Sequence, residues 1–216
     1  MATLSNKSAR STASFFCKEK MKGYVGIGAK DFEAGYQQGH QSNAYVVTSL
    51  RIMADDVQRF SNAPDHAARL EGEVISDALG GTLPIEEGFF NLFVATDNPM
   101  RKLMKYRLFF SGSAGPMTLT GFKAITDDPR FSIWSNSAVL YTRILLGHVH
   151  ENEDDGAEIH AAGLIFLYKI DFLKINALTF SIKGSPIARV RGLSQFSKFF
   201  MRTNWSFYKA KLRGRK

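Results

Sequence analysis

Between residues 44 and 183 the chain repeats one pattern: a short run of β-branched and aromatic residues, then a turn signal. Ala44 to Met53, Arg69 to Ile75, Leu83 to Glu86 and Phe89 to Thr96 read as strands, the last ended by Asp97-Asn98-Pro99. Leu103 to Phe110 alternates strictly, with Met104, Tyr106, Leu108 and Phe110 on one face and Lys105 and Arg107 on the other. Ser111 to Pro116 turns this strand into Met117 to Ile125. After Asp127-Asp128-Pro129 come a short strand at Phe131 to Trp134 and a long one at Ala138 to His150. The acidic tip Glu151 to Gly156 leads back through Glu158 to Ile170, and Ile175 to Ile182 is the last strand. Short turns impose antiparallel neighbours, and an antiparallel sheet of this size removes its exposed edges by closing. The expected fold is mainly β: a lipocalin- or calycin-like antiparallel barrel with a C-terminal amphipathic helix.

The flanks divide the rest. Residues 1–14 are polar and read as a disordered tail, and residues 15–43 read as a glycine-punctuated arm that packs on the barrel. Residues 44–208 form the barrel with its helix, and 209–216 a basic tail. Gly23-Tyr24-Val25-Gly26-Ile27-Gly28 has neither the order nor the flanks of a dinucleotide loop. Several strands are apolar on both faces: Phe89 and Phe93 lie opposite Phe90, Leu92 and Val94, and Ile159, Ala161 and Ile165 lie opposite Ala162, Leu164 and Phe166. One face can fill the interior and the other needs a cover, for which the arm, the helix and a second copy of the chain are candidates.

Composition narrows the function. Phe occurs 18 times in 216 residues, enough to build a large core or to line an apolar cavity. The single cysteine, Cys17, excludes an intramolecular disulfide framework and fits a reducing compartment. No apolar run is long enough to span a membrane as a helix, and the expected location is cytoplasmic or peripheral to a membrane. The chain carries a net +8, and Arg189 to Lys216 holds nine Lys or Arg with no Asp or Glu, so the remainder is close to neutral. That segment reads as a helix with an apolar stripe of Leu193, Phe196, Phe200 and Phe207. Arg189, Arg191, Lys198, Arg202 and Lys209 are its candidate docking residues, toward an anionic membrane or a lipid-processing enzyme rather than nucleic acid.

No complete catalytic motif is present. Ser111 and Ser113 lack a nucleophile elbow. Cys17 lies among Lys18, Lys20 and Lys22, which favour its thiolate, yet an ordinary thiol is the simpler expectation. His148 and His150 share a strand face and His160 lies across the acidic hairpin. A zinc or iron site there is the weaker alternative to a solvent-facing hairpin end. Arg143 interrupts an apolar strand, a costly place for a cation unless it is paired. Facing inward it would anchor a carboxylate or polar head group; facing outward it would be a solvated rung. Tyr106, Phe110, Trp134, Tyr141 and Arg143 are the candidate ligand-binding residues, with no cofactor expected.

One ordered series of short matches carries a resemblance. It runs through Met21-Lys22-Gly23-Tyr24, Arg69-Leu70-Glu71-Gly72, Gly88-Phe89-Phe90-Asn91-Leu92-Phe93 and Met104-Lys105-Tyr106-Arg107-Leu108. It continues through Leu119-Thr120-Gly121-Phe122-Lys123, Asp127-Asp128-Pro129, Trp134, Leu140-Tyr141-Thr142-Arg143 and Gly147-His148-Val149, and ends at Asp171-Phe172 and Phe196-Ser197-Lys198-Phe199-Phe200. Over roughly residues 15–208 this resembles the accessory β-rich domain of long bacterial cholesterol oxidase-like proteins of the glucose–methanol–choline oxidoreductase family. The resemblance implies a link to sterol or other lipid metabolism. It implies no flavin site and no catalytic residue here, because those belong to a separate domain of such proteins.

The expected function is therefore a binding module for an apolar lipid or sterol-like molecule, held in a hollow inside the strands. The alternatives are a non-hydrolytic isomerase or cyclase acting on a lipid in the barrel, and a structural partner of a flavin oxidoreductase.

Overall fold

A computed structural model describes residues 12–98, 101–126, 139–167 and 181–213. In chain order the elements are β1 (Ser14–Ile27), α1 (Phe32–Gln41), β2 (Tyr45–Ala54), α2 (Val57–Asn62), β3 (Ala67–Ser76), β4 (Gly81–Pro84) and β5 (Glu87–Ala95). They continue with β6 (Arg101–Gly112), β7 (Gly115–Thr126), β8 (Val139–Leu146), β9 (Ile159–Leu167), β10 (Ser181–Lys183) and α3 (Pro186–Arg213). Consecutive strands pair antiparallel in the order β1-β2-β3-β5-β6-β7-β8-β9, and β9 pairs back onto β1 through Met21–Leu167 to Ile27–Ala161. The result is a closed, eight-stranded, lipocalin-like antiparallel barrel with a C-terminal helix, the expected architecture.

The N-terminal segment departs from expectation. Within residues 15–43, Ser14–Ile27 is not an arm lying on a finished barrel but the stave that closes it, paired to β2 along most of its length, and only the α1 part packs on the barrel's outside. Its alternation explains this. Phe15, Cys17, Glu19, Met21 and Val25 face the interior, while Lys18, Lys20 and Lys22 face out. The short strand expected at Phe131–Trp134, residues 214–216 of the basic tail 209–216, most of Ile175–Ile182 and residues 1–11 of the N-terminal tail lie outside the described residues.

Turns appear where their chemistry demands. The β6–β7 hairpin is tighter than read from sequence, with Gly112 pairing Gly115, which takes a φ of +92° that favours glycine. β8 stops at Leu146 rather than at His150, because Gly147 turns with φ +86° and Glu151–Gly156 winds into a short 3₁₀ turn. In β5 a bulge between Asn91 and Val94 places Leu92 and Phe93 both in buried positions, breaking the alternation expected there.

The barrel interior is filled with side chains. Met21, Leu70, Leu108, Phe110, Met117, Leu119, Leu140, Ile144 and Ile165 are all sealed from solvent. Across them runs a polar bridge. Tyr106 on β6 donates to Glu19 Oε2 on β1 at 2.9 Å, and Lys123 on β7 pairs with Glu19 Oε1 and sits 5.0 Å from the Tyr106 ring centre. β1 and β6 are diametrically opposite staves, so the bridge spans the bore. At this level the side chains of opposite staves meet, as the width of an eight-stranded barrel allows.

One barrel end is covered by α2 and the first half of α3. Phe15, Phe60, Phe196 and Phe199 form a chain of ring contacts at 5.0–6.1 Å, and Phe93 reaches Phe199 at 5.8 Å. The stripe of α3 against the barrel is Ala188, Gly192, Phe199 and the half-buried Phe196; Leu193, expected in it, is exposed. Elsewhere α1 lies across β1 and β9. A Cβ on Gly35 would stand 2.1 Å from the Ala162 carbonyl oxygen, so only glycine permits this approach.

Candidate ligand groove

Two adjacent rows of the strand register build the outer wall between β3 and β8. The first runs Ala67, Asn91, Lys105, Phe122, Tyr141, each directly opposite the next. The second runs Phe89, Arg107, Thr120, Arg143. Residues opposite each other on one face of a sheet have side chains within contact distance. All of these residues line one recess of about 460 Å³, closed on one side by Phe32 at the start of α1 and on another by His150, Glu151 and Asp154. The volume falls within the roughly 300–1,000 Å³ usual for small-molecule sites.

Aromatic rings form the floor. Phe122 and Tyr141 stack at 5.2 Å and 14°, and Phe32 meets them edge-on at 6.0 and 5.5 Å. Phe32 is brought there by α1, whose N-terminus is held by Asp31, accepting from the Ala34 N–H at 2.8 Å.

Three cations reach the same recess in different electrostatic states. Arg107 donates to both oxygens of Asp154 at 2.8 and 2.6 Å and to the Val149 carbonyl at 2.6 Å. Lys105 pairs with Glu151. The Lys105 hydrogen bond lowers the Glu151 pKa from its ordinary value against the opposing effect of burial, so the pair's contribution is lost only as pH falls through that lowered value. Arg143 has no carboxylate at ion-pair distance among the described residues. Its guanidinium lies 4.9 Å from the Phe32 ring centre, and its Nε is buried with no hydrogen-bond partner. A buried donor in that condition is one that a ligand oxygen would satisfy.

The sequence-derived candidates separate accordingly. Arg143 and Tyr141 face outward into the groove, not inward, because β8 buries Leu140, Thr142 and Ile144 instead. Tyr106 points into the bore, so its backbone is what lines the groove. Phe110 is sealed in the core, away from the groove. Trp134 lies outside the described residues. The histidines do not converge: His148 stacks on Phe109 at 5.2 Å and lies 3.7 Å from Glu86, and His150 meets the same ring edge-on. His160 sits on β9, and among the described residues no group of three or more His, Cys, Asp or Glu side chains is placed to hold a metal ion. Arg191, Lys198 and Arg202 are exposed on α3, Arg189 is exposed and donates from Nε to the Gly184 carbonyl at 2.9 Å, and the Lys209 side chain is outside the described set.

Sequence reasoning missed Phe32, Phe122, Lys105 and Arg107 as groove residues. Lys105 and Arg107 were legible as an outward face, but only the register shows that they stand beside Phe122 and Arg143. Comparison with family models, with curated proteins and with solved structures gives no match.

Proposed function

We propose that the chain is a binding module for an apolar lipid or sterol-like molecule that carries an anionic head group, seated in the outer groove. Arg143 carries the reading: a partnerless buried Nε, stacked on Phe32, in an aromatic recess of about 460 Å³. The neutralised Lys105 and Arg107 pairs fix the groove wall, and Arg143 supplies the charge that recognises the ligand. The resemblance to accessory domains of cholesterol oxidase-like proteins adds sterols to the ligand class and a flavin oxidoreductase to the candidate partners.

Dodecanoate and cholesteryl sulfate, titrated calorimetrically, are suitable probes. Arg143→Gln is expected to weaken both by roughly 10- to 100-fold, the worth of a charge-assisted hydrogen bond of about 1.5–3 kcal/mol. Dodecyltrimethylammonium should bind the parent chain poorly. Unchanged dodecanoate affinity in Arg143→Gln would remove the groove from the account.

A second reading, a lipid isomerase or cyclase working inside the barrel, has one observation in its favour: the buried Glu19–Tyr106–Lys123 trio. Tyr106→Phe separates the readings. Groove binding is indifferent to it, whereas a reaction in the bore would lose its phenol.

A further inference from the structure

The first half of α3 buries one stripe against the barrel and leaves a second apolar stripe in solvent. Ile187, Val190 and Met201 are 75%, 71% and 63% exposed, and Leu193 is also exposed beside them. At 100° per residue Ile187, Val190 and Met201 fall within one sector of the helix, and Arg191, Lys198 and Arg202 border it on one side. Pro186–Arg213 contains no acidic residue. Ile27, Tyr45 and Phe89 are the exposed large apolar residues elsewhere among those described, and they stand on separate strands; the concentration on α3 is therefore not the ordinary scatter of a surface. No helix among the described residues is long and apolar enough to cross a membrane.

We propose that α3 lies flat in the headgroup layer of an anionic bilayer, with Ile187, Val190 and Met201 inserted and Arg191, Lys198 and Arg202 on the lipid phosphates. The occupant follows from the charge. An apolar protein partner needs no acid-free, basic border, whereas an anionic lipid surface attracts each such cation and accepts the apolar stripe beneath it. Arg191, Lys198 and Arg202 are among the docking residues read in the sequence, but the apolar stripe differs: Phe196 belongs to the barrel contact, and the solvent-facing stripe begins at Ile187. The proposal is independent of the groove, which lies on other elements.

The test is cosedimentation of the full chain with vesicles of phosphatidylcholine alone and of phosphatidylcholine mixed with phosphatidylglycerol. The parent chain should bind the mixed vesicles and release as salt rises. Ile187→Asn with Val190→Asn changes two exposed positions and should lower the partition coefficient at least tenfold. Arg191→Gln, Lys198→Gln and Arg202→Gln together should lower it roughly a hundredfold, at about fivefold per charge. Circular dichroism verifies that each variant keeps its fold, and either variant alone suffices if the other unfolds. A parent chain that stays in the supernatant with the mixed vesicles overturns the proposal. So does binding that neither variant reduces, or self-association through the same residues with no vesicle binding.

Discussion

Lys123→Met should destabilise the folded chain by about 3–5 kcal/mol, the usual cost of leaving a buried carboxylate without its cation. Glu19 and Lys123 are only 9% and 2% exposed, so water cannot replace the lost partner. Urea unfolding followed by tryptophan fluorescence measures the loss. Adding Glu19→Leu to Lys123→Met should recover part of it, because the double variant buries no charge, although the Tyr106 hydroxyl loses its acceptor. A double variant no more stable than the single one would mean that the bridge is not the source of the cost. Tyr106 gives the same bridge a signature in pH. Burial first, then the charge and hydrogen bond of Glu19, pushes its phenol well above the ordinary value of 10.0. Above that pH the unfolded chain ionises while the folded chain does not. The contribution is therefore complete below about pH 10 and declines as pH rises toward the folded value. Tyr106→Phe should flatten that alkaline decline, although it also leaves Glu19 Oε2 without its donor, at a cost of about 1–3 kcal/mol.

Gly35→Val should act on both stability and binding. Its Cβ would enter the Ala162 carbonyl, and the obstacle is backbone, which cannot rotate away. The barrel wall cannot yield, so α1 must lift. Overpacking of this kind costs about 1–3 kcal/mol. Because Phe32 opens the same helix and stacks on Arg143, lifting α1 removes one wall of the groove. Dodecanoate affinity should fall at least tenfold in a chain that still melts cooperatively. A variant that loses stability while keeping full affinity would show that Phe32 is not part of the seat.

Much of the barrel was legible because its staves are regular. Met104, Tyr106, Leu108 and Phe110 against Lys105 and Arg107 gave β6 its two faces, and turn residues gave its neighbours. β1 was not legible as a stave. Three lysines and two glycines interrupt it, and its inward residues include Glu19, whose burial depends on Tyr106 and Lys123 some 90 to 100 residues away. Pattern within a strand cannot register a charge that is satisfied across the bore. The groove was hidden for a related reason. Arg143 was visible as an anomaly in an apolar strand, but whether it faced in or out rested on which neighbours of β8 were smaller, and its aromatic partner Phe32 comes from a different element. The α3 stripe illustrates the reverse: the sequence offers two apolar sectors, and only contact with Phe15 and Phe60 decides which one is buried.

The most direct measurement is a dodecanoate titration of isotope-labelled protein followed by NMR. Shifts concentrated at the Arg143 Nε–H, Phe32, Phe122 and Tyr141, with the bore methyls of Met21, Leu108, Leu119 and Leu140 unmoved, are the predicted result. Shifts that concentrate on those methyls and spare Arg143 would contradict it, and would put the guest back inside the barrel.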